Sequence, residues 1–205
     1  MLKTLLAMLV LFVTVSICHG QTAKEWADSG SAKLKLKDYD GAEADYSKAI
    51  ELEPKDGWAY FGRGVAKYAL EDYRGAIADY SKAIELEPMP ALIYLIYSNR
   101  GITKGTLEDY RGAIADYSKA IELEPMHVSG YYGRGYAKGK LKDYAGAIAD
   151  YNKAIELDPK DAKAYYERGV AKLRLRQKDS GCLDLSKAGE LGYDGAYDAI
   201  KEYCR

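Results

Sequence analysis

The sequence predicts an all-α solenoid of stacked antiparallel helical hairpins, and three observations carry that expectation. The phrase DYxGAxADYxKAIELxP begins at Asp38, Asp72, Asp109 and Asp143, at spacings of 34, 37 and 34 residues. A period of that length marks a repeat built from one supersecondary unit. The same interval governs the prolines that close each unit (Pro54, Pro88, Pro125, Pro159) and the glycines that open it (Gly30, Gly64, Gly101, Gly135, Gly169). Finally, Ala76, Ile77, Tyr80, Ala83 and Ile84 recur three and four residues apart, forming one apolar helical face that a lone hairpin cannot bury. Neighbouring units must therefore stack on one another.

Ahead of the repeats, residues 1–20 have the form of a secretory signal. Lys3 supplies a positive start, Leu5 to Ile17 is an almost unbroken apolar run, and Cys18-His19-Gly20 ends in a small residue. Cleavage after Gly20 would leave Gln21 as the terminus. The apolar run is shorter than the roughly 20 residues a membrane-spanning helix needs, so any membrane attachment would come from an uncleaved leader or a lipid on Cys18. The expected location is extracytoplasmic, secreted or periplasmic. The remaining pair, Cys182 and Cys204, invites a disulfide in such a compartment.

The solenoid is expected over residues 21–205. Thr22 and Glu25 make a capping box that starts the first helix. Four full units follow near 23–56, 57–90, 94–127 and 128–161, each a pair of helices joined by a short polar turn and stopped by proline. A fifth, degenerate unit over 162–193 reads GCLDLSKAGELGYD and has lost its closing proline. Residues 194–205 form a last helix that caps the stack. The longer central spacing comes from an insertion, Ala91-Leu92-Ile93, nearly one helical turn. It either lengthens the third unit's first helix or presents an apolar lip.

Small residues at Gly64, Ala76 and Ala83 let the two helices of a unit approach closely, with Tyr60 and Tyr80 filling the space between. That combination resembles the tetratricopeptide-repeat (TPR) family from Ala23 to about Gly192. The resemblance implies a concave groove lined by the first helices. In the second unit the groove face is Trp58, Phe61, Val65 and Tyr68; in the third, Leu95, Ser98, Ile102 and Gly105. The fourth contributes Ser129, Tyr132, Tyr136 and Gly139, the fifth Lys163, Tyr166, Val170 and Leu173. The family's clamp for a C-terminal carboxylate would fall on Ala27, Ser31, Gly62, Leu95 and Asn99, of which Asn99 alone has a suitable side chain.

Four units place an arginine before the opening glycine and a lysine four residues later: Arg63, Arg100, Arg134 and Arg168 with Lys67, Lys104, Lys138 and Lys172. Aspartates recur before the second-helix tyrosines at Asp45, Asp79, Asp116, Asp150 and Asp184. Charges beside tightly packed glycines need partners. Because the first unit has Ser29 in place of arginine, four arginines reaching back to the preceding units would meet four aspartates with only Asp184 left over, and that count favours a structural ladder between repeats.

Composition narrows the function. Lys and Arg number 30 against 31 Asp and Glu, and loss of Lys3 with the leader gives 29 against 31, so no bulk charge attracts nucleic acid. Twenty tyrosines against two phenylalanines suggest shallow, half-buried layers, since each hydroxyl needs a partner. His127 alone of the histidines would remain after export; no Cys/His cluster has metal-ligand spacing and no glycine motif follows a strand. The sequence reading is a non-catalytic scaffold without cofactor or small-molecule substrate that holds a protein or peptide in its groove. The rival is an accessory or self-assembling subunit using the stack ends or the outer face.

Overall fold

The computed structural model of the chain describes residues 21–86 and 93–204. The signal-like segment and Ala91-Leu92 of the insertion lie outside the described residues. Eleven α-helices and no strands are present among them. They run α1 Ala23–Lys35, α2 Tyr39–Leu52, α3 Gly57–Ala69, α4 Tyr73–Leu86, α5 Ile93–Thr106, α6 Tyr110–Leu123, α7 Val128–Lys140, α8 Tyr144–Leu157, α9 Ala162–Arg174, α10 Lys178–Glu190 and α11 Gly195–Tyr203. Each odd helix pairs with the even helix after it, each pair stacks on the next, and α11 packs on α10. Odd helices also meet one another, α1 with α3 and so on to α7 with α9, so they form the inner side of the curve.

The phrase DYxGA makes the start of each second helix. Asp38, Asp72, Asp109 and Asp143 accept the amide of Gly41, Gly75, Gly112 and Gly146 through Oδ1 at 2.9–3.1 Å. A Cβ on any of these glycines would strike that capping carboxylate, which explains the residue choice. The turn before it holds one residue in the left-handed region every time: Lys37, Glu71, Glu108, Lys142 and Arg176, at φ 61–66°. At the chain's start, the capping box is complete: the Thr22 hydroxyl accepts from the Glu25 amide at 3.2 Å, and Glu25 accepts from the Thr22 amide at 2.8 Å.

The core consists of alanines and tyrosines. Ala42, Ala49, Ala59, Ala76, Ala83, Ala113, Ala120, Ala147 and Ala154 are fully buried. Tyr46, Tyr80, Tyr117 and Tyr151 lie among them at 2%, 1%, 7% and 2% exposure, so the expectation of half-buried tyrosines is corrected for this position. The glycines supply the reason. The Tyr46 ring lies against Gly30 of its own unit and Gly62 of the next, and Tyr117 against Gly101 and Gly133 in the same manner. Backbone takes the place of side chains on both ring faces, and among the described residues no buried side-chain oxygen or nitrogen lacks a hydrogen-bond partner. α5 starts one residue earlier relative to its glycine than α3 does, with Ile93 of the insertion inside the helix.

Candidate binding groove and the ion pairs behind it

Four of the five buried second-helix aspartates are each held by two cations of their own unit. Arg63 donates from Nε and Nη2 to Asp79 at 2.9 and 2.8 Å, and Lys67 Nζ lies 2.9 Å from the same carboxylate. Arg100 and Lys104 bind Asp116, Arg134 and Lys138 bind Asp150, and Arg168 and Lys172 bind Asp184, all at 2.6–3.0 Å. The arginine ladder therefore closes within repeats rather than between them, and Asp184 is not left over. A residue and its partner 16 positions on face each other across one hairpin, which makes the intra-unit reach the shorter one. Asp45, in the unit without arginine, takes the Ser29 hydroxyl at 2.6 Å and Lys33 at 2.7 Å.

The inter-repeat link uses the third guanidinium nitrogen. Arg63, Arg100, Arg134 and Arg168 donate from Nη1 to Ser47, Ser81, Ser118 and Asn152 of the preceding unit at 2.7–3.2 Å. Each guanidinium also lies 5.2–5.8 Å from the ring of the tyrosine three residues earlier, Tyr60, Tyr97, Tyr131 or Tyr165. Bonding to Asp79 holds the Arg63 guanidinium above its ordinary pKa. Both basic columns are thereby engaged inside the scaffold.

On the inner side, the structure gathers some of the expected groove residues and separates others. Ile102, Gly105, Tyr110, Tyr117, Tyr132 and Tyr136 line a cleft of about 350 Å³ between α5, α6 and α7, walled mainly by apolar atoms. Tyr136 also borders a second cleft of about 310 Å³, shared with Tyr144, Tyr151, Glu167 and Val170 between α7, α8 and α9. Ile102 and Tyr136 are 42% and 38% exposed, open to any ligand there. Burial pushes the phenols of Tyr132 and Tyr151 well above their ordinary range, so both remain protonated donors.

Elsewhere the aromatic residues serve local packing. Phe61, Val65 and Tyr68 pack half-buried around Tyr80 and Ala76, with ring centroids of Phe61 and Tyr80 5.9 Å apart. Trp58 stands 39% exposed beside Phe61, 5.3 Å between centroids. Tyr166 lies against Tyr193 at 4.5 Å. Leu95 is half-buried, and its carbonyl accepts from the Asn99 amide at 2.8 Å, so the one side chain suited to a carboxylate clamp is turned onto its own helix. His127 packs its ring edge-on to Tyr94 at 4.9 Å and meets the Ser98 hydroxyl at 3.0 Å.

The sequence reading missed Tyr110, Tyr144 and Glu167. The two tyrosines belong to the DY of the repeated phrase and were readable from that repetition. Glu167 was readable only as a departure: the residue before each arginine is Gly62, Asn99, Gly133 and then Glu167.

These features define an α-helical repeat solenoid with a clefted inner side. Models of the TPR repeat match residues 30–71, 107–142 and 140–175, and a tetratricopeptide-repeat model matches 57–90, together more than half of the chain. The chain belongs to the tetratricopeptide-repeat family. No curated protein matches its sequence. Among solved structures it is similar to YrrB, a TPR protein with an unusual peptide-binding site, at 23% identity and a TM-score of 0.76 over 87% of this chain and 92% of that one. MamA from Desulfovibrio magneticus RS-1 is 21% identical, with a TM-score of 0.77 over 84% and 96%. PilF of Pseudomonas aeruginosa is 17% identical, with a TM-score of 0.73 over 84% and 77%. At these identities the likeness is one of fold.

Proposed function

We propose that this protein is an exported, non-catalytic scaffold that holds an extended or helical segment of a partner polypeptide in its inner groove, centred on Tyr136. The observation that carries this reading is the position of Tyr136, an exposed aromatic shared by two adjoining clefts whose walls include further tyrosines, Ile102 and Val170. Aromatic anchors of this kind give large contact area at low entropic cost. Membership of a family of interaction modules, and the peptide-binding site named for YrrB, support the same reading. The basic columns are occupied by aspartates, so contacts should come from rings and aliphatic surface rather than long-range charge.

Self-assembly through the stack ends has less support, because α11 covers α10 at one end and α1 turns a polar face outward at the other. The form of residues 1–20 and the Cys182–Cys204 disulfide support export. The test is affinity for the partner recovered by cross-linking in the native compartment. Tyr136→Ala and Ile102→Ala should each weaken binding, the tyrosine by roughly thirtyfold, against a Lys82→Ala control on the outer face. Unchanged binding in both groove variants would transfer the function to the ends or the outer surface. N-terminal sequencing of exported protein should begin at Gln21.

A further inference from the structure

The second cleft carries a feature that an apolar groove does not need. Glu167, on α9, lines it together with Tyr136, Tyr144, Tyr151 and Val170. Among the described residues no hydrogen bond or ion pair engages its carboxylate, although every buried aspartate of the repeats holds at least one cation. Burial holds its carboxyl above the usual carboxylate range, and the nearby Lys140 only partly offsets this. The scaffold does not call for a side chain here. At the equivalent Gly62 and Gly133 a Cβ would run into the ring of the preceding unit's tyrosine, and Asn99 turns its amide back to Leu95. Ahead of Glu167 the preceding unit's tyrosine, Tyr151, lies against Tyr132 with centroids 5.9 Å apart.

A half-buried carboxylate without a partner is a cost to the fold that a cationic ligand removes. Aromatic walls favour the same ligand, because tyrosine faces attract cations. Two cations, Lys140 and Arg174, also border the cleft, but both are exposed to water and neither forms an ion pair with Glu167; Lys140 Nζ lies over the Tyr136 ring at 5.1 Å. Resting on the groove reading above, we propose that this cleft is a specificity subsite taking a lysine or arginine side chain of the partner segment, its charge on Glu167 and its methylenes against Tyr136 and Tyr144.

The test uses the intact mature chain and three capped heptapeptides, apolar throughout except for a central lysine, norleucine or glutamate. Titration calorimetry should show the lysine peptide binding at least about tenfold tighter than the norleucine peptide, the factor that a single well-placed charge pair readily supplies. In Glu167→Gln the ratio of lysine to norleucine affinity should fall to about one, and thermal unfolding should show the variant folded and no less stable. Equal lysine and norleucine affinities, or a preference for glutamate through Lys140 and Arg174, overturn the subsite and leave the groove reading standing. Should none of the three bind, the Glu167 carboxyl is titrated by carbon NMR with n-butylammonium. A fall in its midpoint supports the subsite, and an unmoved midpoint overturns it. Loss of partner binding in Tyr136→Ala is the separate criterion for the groove itself.

Discussion

Arg100 clasps Asp116 with two parallel hydrogen bonds, Nε to Oδ2 at 2.9 Å and Nη2 to Oδ1 at 2.7 Å, while its Nη1 donates to Ser81 of the preceding repeat at 2.9 Å. One side chain thus closes its own hairpin and fastens that hairpin to its neighbour. Asp116 is the more buried partner, its side chain 5% exposed against 17% for Arg100, and it also holds Lys104.

Removing the aspartate should therefore cost more than removing the arginine. Asp116→Ala strands two half-buried cations and should destabilise by about 3–5 kcal/mol. Arg100→Ala leaves Asp116 with Lys104 and should cost about 1.5–3 kcal/mol, in the range of hydrogen bonds to charged groups. Urea unfolding decides between them, and an equal or reversed order would mean that Lys104 gives Asp116 no compensation.

Glycine positions in two of the first helices, α7 and α5, should respond with opposite signs. A Cβ at Gly135 would lie 2.9 Å from Cε1 of the buried Tyr151 ring, whereas one at Gly105 meets nothing within 4 Å. Gly135→Ala should destabilise by about 1–3 kcal/mol through overpacking. Gly105→Ala should be neutral or stabilising by up to about 1 kcal/mol, the difference in helix propensity. Thermal denaturation of the two variants measures this; a stable Gly135→Ala would show that the tyrosine can move aside.

The repeat phase, the helix pairs and the capping residues were legible in the sequence because each rests on a local rule repeated at a fixed interval. Asp72 and Gly75 show why: cap and glycine contact each other three residues apart, so the motif and its structure are the same object. The direction of the arginine ladder was not legible from counting charges, since both directions match four arginines to four aspartates. The signal that resolves it is the small polar residue after each second-helix tyrosine, Ser47, Ser81, Ser118 and Asn152, which receives the next unit's arginine. Left-handed turn residues were hidden for a different reason. Lys37, Glu71, Glu108, Lys142 and Arg176 sit where glycine is the usual marker, and no glycine appears. The groove was legible as a face of each helix, but which rings are spent on the core, such as Phe61 on Tyr80, depends on how the helices meet.

Acid should weaken the third and fourth repeats through His127. Its ring is packed against Tyr94 and bonded to buried Ser98, and burial lowers its pKa from the ordinary value of 6.5. The neutral form is favoured in the fold, so between the lowered pKa and 6.5 the unfolded chain binds the extra proton. The contribution is fully present above 6.5 and is lost as pH falls through the folded pKa. Urea midpoints of wild type and His127→Asn measured from neutral pH downward should converge or cross in that window. A constant difference would remove His127 from the pH response.

Cys182, near the start of α10, and Cys204, just after α11, are joined in a disulfide with Cα atoms 5.8 Å apart, closing a loop of 22 residues. Helix α11 is nine residues long, too short to persist alone; it packs on α10, where its Tyr197 ring lies against Gly189, and buries its own Ala196 and Ala199. The bridge ties the far end of this cap to the start of the helix beneath it. Cys204→Ser should lower stability by about 3 kcal/mol on the chain-entropy estimate. Because repeats depend mainly on their neighbours, the loss should begin locally, with α11 and the Tyr166–Tyr193 contact opening before the repeats ahead of them. Hydrogen exchange with mass-spectrometric readout should then show faster exchange over residues 178–204 in the variant and unchanged exchange over α3 to α6. Intact mass of protein recovered from outside the cytoplasm should be lower by two hydrogens than after reduction. Two free thiols in that material would remove the bridge and, with it, one of the supports for export.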